Sequence, residues 1–219
     1  MDKLISAKAA ADKINDGAIV MFGGFMANGS AESIIDALVE RNVQNLTIIC
    51  NDSGLIDRGV GKLIVNKQCA RLIATHIGLN KETGRQMMAG ELDVTLVPQG
   101  TLVEQIRAGG YGLGGVLTRT GLGTLVAEGK QTVEVDGVTY LLEKPLRADF
   151  AVIRGSVVDK GGNIAYRGST NNFNEMMATA ADTVIAEAAQ LVDIGELDPN
   201  HVNTPGIFVD YIVGGACNG

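Results

Sequence analysis

One short stretch near the N-terminus constrains the fold more than any other part of the chain. The apolar run Ile19–Phe22 leads directly into a turn that contains three glycines, and the predicted helix Ala31–Arg41 follows. A strand that is apolar on both faces is typical of the centre of a parallel sheet. Gly23 and Gly24 permit backbone conformations, and close approaches to a ligand, that other residues do not.

The start of this helix is a candidate anion site. Ser30 is placed to cap it, and the first N–H groups of a helix have no partner within the helix. Such groups, together with the helix dipole, favour a bound anion. A tight turn without any ligand explains the glycines equally well, because short glycine motifs often arise by chance.

Strands and helices alternate through the first half of the chain, which predicts an α/β fold with an open, mainly parallel sheet covered by helices on both faces. After a first strand predicted over Ala18–Phe22, the predicted strands are Leu46–Cys50, Ala70–Thr75 and Leu92–Val97. The other predicted helices of this half are Ser6–Ile14, Lys62–Asn66, Lys81–Ala89 and Thr101–Ala108. Residues 1–219 are expected to form a single domain without internal repeats.

The second half departs from this alternation. Gly109–Gly115 is too rich in glycine for the interior of an element, and its leucines favour an ordered loop over a flexible linker. Asp136-Gly137, between Gln131–Val135 and Val138–Leu142, predicts a β-hairpin excursion. The turn Gly161–Asn163 is predicted to lead back into Ile164–Tyr166. Strands Phe150–Arg154, Thr183–Ala188 and Ile207–Ile212 and helix Asn172–Ala180 complete the predicted elements.

Composition excludes several classes of function. A net charge of −7 argues against nucleic-acid binding, although a local basic pocket for a phosphorylated small molecule stays open. Arg107, Arg119 and Arg147 are candidates for such a pocket, but scattered surface arginines are the commoner arrangement. Three cysteines (Cys50, Cys69 and Cys217) are too few and too scattered for a disulfide framework or a zinc site. Neither a signal peptide nor a membrane span is visible, which favours the cytoplasm.

Polar residues follow the predicted strands where ligands bind in open α/β sheets, beyond the carboxyl ends. Asn51 offers a donor and an acceptor for a carboxylate or amide, or it is a simple turn former. Gln99 could donate to an oxyanion or to a pantetheine amide, or cap the following helix. His76 stands alone and is more often structural, and Glu104 is most simply solvated or salt-bridged. The sequence shows no self-sufficient pair of nucleophile and base.

Residues 16–29 resemble the signature of the family I CoA-transferases, specifically of their α subunit. That signature runs Asp-Gly, an apolar strand, Gly-Gly-Phe, three residues and Gly-x-Pro. Ala31 stands where the signature has proline, a departure that leaves the glycines untouched. Further blocks resemble the family in the same order: Asn51-Asp52, Val97–Thr101, Arg107–Gly110, Leu117–Gly121, Leu142–Asp149, Asn171–Asn174 and Thr204-Pro205-Gly206.

The resemblance implies a transferase that moves CoA from an acyl-CoA to a short-chain carboxylic acid such as acetate, butyrate or acetoacetate. In this family a glutamate attacks the thioester, and an acyl anhydride and then a glutamyl-CoA thioester form on the enzyme. That glutamate lies in a Ser-Glu-Asn-Gly motif of the β subunit. The motif is absent here, so we assign no catalytic residue to this chain.

The resemblance also implies binding residues, partners and cofactors. CoA binding is expected at Gly23, Gly24, Phe25, Met26, Ala27, Asn28, Gly29 and Gln99, and the acyl carboxylate is expected near Asn51. CoA is expected as a substrate, with no tightly bound cofactor and no metal. The expected assembly is a hetero-oligomer with the β subunit, α2β2 or larger.

Two other classes of function stay open. A strand, a glycine turn, a helix, a second strand and then Asp52 also outline a dinucleotide-binding oxidoreductase domain, although the glycine spacing is not Gly-x-Gly-x-x-Gly. The same scaffold could instead be a non-catalytic sensor of a CoA ester or sugar phosphate.

Overall fold

The structure is a computed structural model that describes residues 3–214. Its strands are β1 (Leu4–Ile5), β2 (Ile19–Phe22), β3 (Leu46–Cys50), β4 (Cys69–Ala74), β5 (Asp93–Leu96), β6 (Val116–Thr118), β7 (Thr132–Val135), β8 (Val138–Glu143), β9 (Ala148–Gly155), β10 (Val157–Asp159), β11 (Ile164–Ala165), β12 (Ala181–Ala188), β13 (Leu191–Val192) and β14 (Tyr211–Gly214). Its α-helices are α1 (Ala7–Ala11), α2 (Glu32–Arg41), α3 (Gly61–Val65), α4 (Lys81–Met88), α5 (Gln99–Gly110) and α6 (Asn174–Met177). Short 3-10 turns cover Leu125–Ala127, Gly168–Thr170, Pro199–His201 and Gly206–Phe208.

One sheet of eight strands organises the molecule, in the order β1-β14-β12-β9-β2-β3-β4-β5. Every neighbouring pair in it is parallel. The chain winds from β2 to β5 in one direction and from β9 to β14 in the other, so the topology switches between β2 and β9. The predicted α/β fold with a parallel sheet is confirmed. No helix among residues 3–214 is long and apolar enough to cross a membrane.

Helices cover both faces of the sheet, and alternate strand residues enter two separate cores. Val20 and Phe22 of β2 pack in the core formed with α1, α2 and α3. Met21 of the same strand packs in the core formed with α5 and α6. Because both faces are buried, the strand is apolar at every one of these positions, which is the pattern that identified it in the sequence.

The predicted hairpin is present, with Asp136 and Gly137 at positive φ between β7 and β8. β6 pairs with β8 on the other side and completes a small antiparallel sheet. The expectation for Gly109–Gly115 is wrong in part, because Gly109 and Gly110 form the last turn of α5. A Cβ on Gly109 would lie 1.9 Å from the Leu146 carbonyl oxygen, so glycine lets this helix pack directly against neighbouring backbone.

Several predicted elements have other bounds in the structure; the helix predicted over Ser6–Ile14, for example, covers only Ala7–Ala11. Ile207–Ile212 is not one strand, because a 3-10 turn occupies Gly206–Phe208 and β14 begins only at Tyr211. Asn172–Ala180 is helical only over α6, and the Asn172 side chain, which accepts from the Phe173 and Gly24 N–H groups, lies before its start. Cys217 lies outside the described residues.

Candidate functional site

The site lies at the carboxyl edge of the sheet, where β9, β2, β3, β4 and β5 end side by side. Phe22, the last residue of β2, is in register with Cys50 of β3 and with Val152 of β9. The residues that follow these strands are therefore brought to one edge. This edge includes the switch between β2 and β9, the position at which open α/β sheets form a binding crevice.

The glycine turn after β2 is a tight two-residue hairpin. Phe25 and Asn28 exchange both backbone hydrogen bonds, each at 2.9 Å. Met26 and Ala27 between them have φ of 50° and 63°. Positive φ at both central positions is the geometry of a type I′ turn, which normally selects Asn-Gly. Non-glycine residues in this region cost about 1–3 kcal/mol each and cluster at functional sites.

Most backbone N–H groups of this turn are used within the protein. Gly23 donates to the Val152 carbonyl, Gly24 to Asn172 Oδ1 and Met26 to Asp52 Oδ2. The N–H groups of Ala27 and Gly29 have no acceptor among the hydrogen bonds of the described residues. These two groups are therefore the donors that the turn can offer to a ligand.

The space beside two of the glycines is filled by protein atoms. A Cβ on Gly23 would lie 1.7 Å from Asn174 Oδ1, and one on Gly24, at φ +123°, would lie 2.2 Å from Ser30 Oγ. The sequence predicted that these glycines let backbone approach a ligand. In the structure they let Asn174 and Ser30 pack against the turn and hold its shape.

The predicted anion site at the start of the helix is also corrected. Ala31 is the N-cap residue, and Ser30 makes no side-chain capping bond. The buried carboxylate of Glu187, from β12, accepts from the Ser33 N–H at 2.8 Å and from the Ser33 hydroxyl. A protein carboxylate thus occupies the position that a bound anion would take.

Asn51 and Gln99, both singled out in the sequence, lie in contact. Gln99 Nε2 donates to Asn51 Oδ1 at 2.9 Å. The Thr75 hydroxyl lies 2.7 Å from the Asn51 backbone carbonyl oxygen and 3.1 Å from the same Oδ1. These contacts fix the Asn51 amide, and its NH2 group donates to no described residue. A buried amide oriented in this way is a preorganised donor for a carboxylate or a developing oxyanion. Gln99 lies within α5, so the alternative that it caps this helix is wrong.

Asp52 and His76 serve the backbone around the site. Asp52 Oδ2 accepts from the Met26 N–H at 2.7 Å and Oδ1 from the Gly54 N–H at 2.8 Å. This carboxylate joins the loops after β2 and β3, so it is not available for the ribose of a dinucleotide. The His76 carbonyl accepts from the Ser53 N–H at 3.1 Å.

The loop after β3 repeats the pattern of the loop after β2, a likeness that our reading of the sequence missed. Gly54 and Gly59 have positive φ, and Leu55 and Arg58 between them exchange backbone bonds as Phe25 and Asn28 do. The sequence pattern that indicates this likeness is a pair of glycines five residues apart after each strand, Gly24 and Gly29 after β2 and Gly54 and Gly59 after β3. The two loops touch, since a Cβ on Gly59 would lie 3.4 Å from the Ala27 Cβ.

A basic cavity of about 340 Å³ adjoins the glycine turn. Three arginines line it: Arg58, Arg154 and Arg167. The arginines singled out in the sequence do not form such a pocket. Arg107 pairs with Glu104, as expected for that glutamate, and Arg147 pairs with Asp182. The groove beside Arg107 contains neither Arg119 nor Arg147 among its lining residues.

The two described cysteines are not nucleophiles. Burial raises the pKa of the Cys50 thiol well above its usual range and that of Cys69 to about 12. Both side chains are buried and remain thiols at neutral pH. Within residues 3–214, no group of three or more His, Cys, Asp or Glu side chains is arranged to hold a metal ion.

Comparison with known proteins identifies relatives over nearly the whole length. The family model described as coenzyme A transferase matches residues 3–215. The chain is 52% identical to the acetate CoA-transferase subunit alpha of Escherichia coli K12 over 211 residues, which cover 96% of both chains. It is 51% identical to the acetoacetyl-CoA:acetate/butyrate CoA transferase alpha subunit of Clostridium acetobutylicum, covering 96% of this chain and 97% of that one.

Among solved structures, an acyl-CoA transferase from E. coli O157:H7, in a thioester complex with CoA, superposes with a TM-score of 0.88. The match covers 98% of this chain but 47% of that one, so this chain spans about half the length of the solved protein. At 23% identity this likeness concerns the fold alone. The comparisons support neither the dinucleotide-binding nor the sensor alternative.

Proposed function

The chain belongs to the coenzyme A transferase family, and from this premise we propose that it is the α subunit of a short-chain acyl-CoA:carboxylate CoA-transferase. The observation that carries the proposal is the fixed Asn51–Gln99 pair beside the glycine turn, at the edge where the parallel strands end. The acids are acetate, butyrate or acetoacetate, and CoA enters as a substrate. The enzyme is cytoplasmic and has no nucleic-acid or membrane partner.

The residues of this chain bind and orient the thioester. The free N–H groups of Ala27 and Gly29 and the amide of Gln99 hold the CoA side, together with the rest of the turn, Gly23–Gly29. The Asn51 amide donates to the acyl carboxylate or to the oxygen that becomes negative as the thioester carbonyl is attacked. One such donor lowers a barrier by about 3–4 kcal/mol.

A partner β subunit supplies the nucleophile. Its glutamate carboxylate attacks the thioester carbonyl, the C–S bond breaks, and the CoA thiolate leaves as an acyl–glutamyl anhydride forms. The thiolate then attacks the glutamyl carbonyl and releases the first acid. The second acid attacks the resulting glutamyl-CoA in the reverse sequence. The α and β subunits assemble as α2β2 or a larger hetero-oligomer.

Mixing the purified chains tests this division of labour. This chain and a β subunit that carries Ser-Glu-Asn-Gly are each assayed with acetoacetyl-CoA and acetate, by loss of the acetoacetyl-CoA enolate absorbance. Each chain alone is expected to be inactive, and the mixture active. As a matched control, glutamine in place of the motif glutamate should leave the complex assembled and inactive. Transfer by this chain alone would refute the proposal.

A further inference from the structure

We propose that the cavity lined by Arg58, Arg154 and Arg167 binds the phosphate groups of the CoA substrate. The inference rests on the proposed function and assigns to the α chain a second, electrostatic contact with CoA, on the arginines beside the glycine turn. Neither the sequence motifs nor the residues discussed above for the acyl end include these arginines.

The cavity lies at the topological switch of the sheet. Arg154 is at the carboxyl end of β9, and Asn28 and Gly29, which also line the cavity, follow β2. Arg58 comes from the loop after β3, and Arg167 follows β11. Separate segments therefore direct three guanidinium groups to the crevice where α/β sheets bind ligands.

The cavity has a surplus of positive charge in an acidic protein. None of the described residues that line it is acidic. The side chains of Arg58 and Arg167 form no ion pair with a described residue, whereas Arg107 and Arg147 do. Arg154 Nε lies 3.8 Å from Glu187, whose carboxylate also accepts from the start of α2.

The donors suit phosphate. Arginine presents a planar fork of N–H groups that matches phosphate oxygens, and it stays charged at any physiological pH. The Ser156 hydroxyl, also in the cavity, accepts from the Arg167 N–H at 2.9 Å and so keeps its own proton to donate. Three cations around one cavity exceed what a single carboxylate needs. They match the diphosphate or the 3′-phosphate of CoA.

The distance to the acyl end fits the length of the substrate. Neighbouring strands lie about 4.8 Å apart, so the end of β9 is roughly 10 Å from that of β3 and roughly 19 Å from that of β5. Asn51 follows β3, and the Gln99 side chain reaches it from the helix that follows β5, so the acyl end lies near the end of β3. The roughly 13 bonds between the thioester sulfur and the first phosphorus of CoA span about 15 Å when extended. One molecule can therefore reach both places.

Steady-state kinetics of the αβ complex test the site, with butyrate as acceptor and three acetyl donors: acetyl-CoA, acetyl-3′-dephospho-CoA and acetylpantetheine. The variants are R58Q, R167Q, the double variant, and R58K with R167K. R119Q is the matched control, because Arg119 forms no ion pair with a described residue and does not line this cavity. A charge-assisted bond corresponds to about ten-fold in affinity or more.

The KM for acetyl-CoA should rise about ten-fold in each glutamine variant and more in the double variant, with kcat little changed. The lysine variants should recover part of the loss, and the loss should be absent with acetylpantetheine. If the cavity binds the 3′-phosphate, the glutamine variants should show no loss with acetyl-3′-dephospho-CoA, as with acetylpantetheine. If the cavity binds the diphosphate, the loss with acetyl-3′-dephospho-CoA should equal that with acetyl-CoA. An unchanged KM, or equal losses with acetylpantetheine and in R119Q, would overturn the inference.

Failure of the proposed function gives a different result, since the wild-type complex would then transfer no CoA from any donor. Calorimetric titration of the complex with inorganic pyrophosphate tests the cavity in that case too. Pyrophosphate should bind the wild-type complex and bind the double variant at least ten-fold more weakly. Equal binding to both would overturn the assignment of the arginines.

Discussion

Replacing Gly24 with alanine tests whether the glycine turn is shaped by internal packing. In the structure Gly24 has φ of +123° and a new Cβ would lie 2.2 Å from Ser30 Oγ. Two separate penalties follow from one methyl group. The backbone conformation is one that residues with a Cβ rarely adopt, and Ser30 would have to move by about 0.8 Å to reach the closest contact, 3.0 Å, that real Cβ atoms make.

The two penalties are similar in size but can be separated. Strain at an unfavourable φ costs about 1–3 kcal/mol. Overpacking adds about 1–3 kcal/mol. Gly17 supplies the matched control, because it has φ of +78° but nothing within 4 Å of a new Cβ. Gly17→Ala should therefore show strain alone, and Gly24→Ala should cost about 1–3 kcal/mol more.

Urea unfolding of the four proteins measures these terms: wild type, Gly17→Ala, Gly24→Ala and the double variant Gly24→Ala/Ser30→Ala. Ser30→Ala removes the overlapping oxygen, so the double variant should recover most of the packing term and keep the strain. CoA transfer by the αβ complex should fall in Gly24→Ala, because the turn positions the Ala27 and Gly29 donors. Equal costs at Gly17 and Gly24, or no recovery in the double variant, would refute the packing explanation.

Three further results are expected. Glu187→Gln should lower the free energy of unfolding by about 2–4 kcal/mol in urea titration, because the buried charge accepts from the Ser33 N–H and hydroxyl; an unchanged midpoint would contradict this. Asn51→Asp should reduce kcat/KM of the αβ complex about 100-fold or more, because a donor becomes an acceptor; a loss below five-fold would argue against its role. Burial raises the pKa of the Cys50 and Cys69 thiols, so both contribute their full stability below about pH 9. That contribution is lost as the pH rises through the folded pKa, which is about 12 for Cys69. The free energy of unfolding then falls by up to about 1.4 kcal/mol per pH unit for each thiol. Replacing Cys69 with alanine should flatten the fall in unfolding free energy between pH 9 and 12, and an unaltered slope would contradict it.

The parts of the fold that were predictable from the sequence are those where local pattern and tertiary environment agree. Ile19–Phe22 is apolar throughout, and its buried residues Val20, Met21 and Phe22 enter the cores on both faces of the sheet, so the pattern is local to the strand. The Asp136-Gly137 turn is likewise local. Elements set by distant contacts were not predictable. Gly109 looks like a loop residue, yet it lies in the last turn of a helix, where the Leu146 carbonyl, far along the chain, leaves no room for a Cβ.

The residues of the candidate site show the same difference between local pattern and distant contacts. Asn51 and Gln99 were predictable because each follows a recognisable strand, and the ends of parallel strands converge. The arginine cavity was not, because its residues meet only through the pairing of β2 with β9, elements separated by more than half of the chain. Local charge gives no sign of that pairing. Arg58 and Arg154 resemble any other surface arginine until the sheet order places their loops together, so a basic pocket in an acidic α/β chain is a property of topology and is found only from the fold.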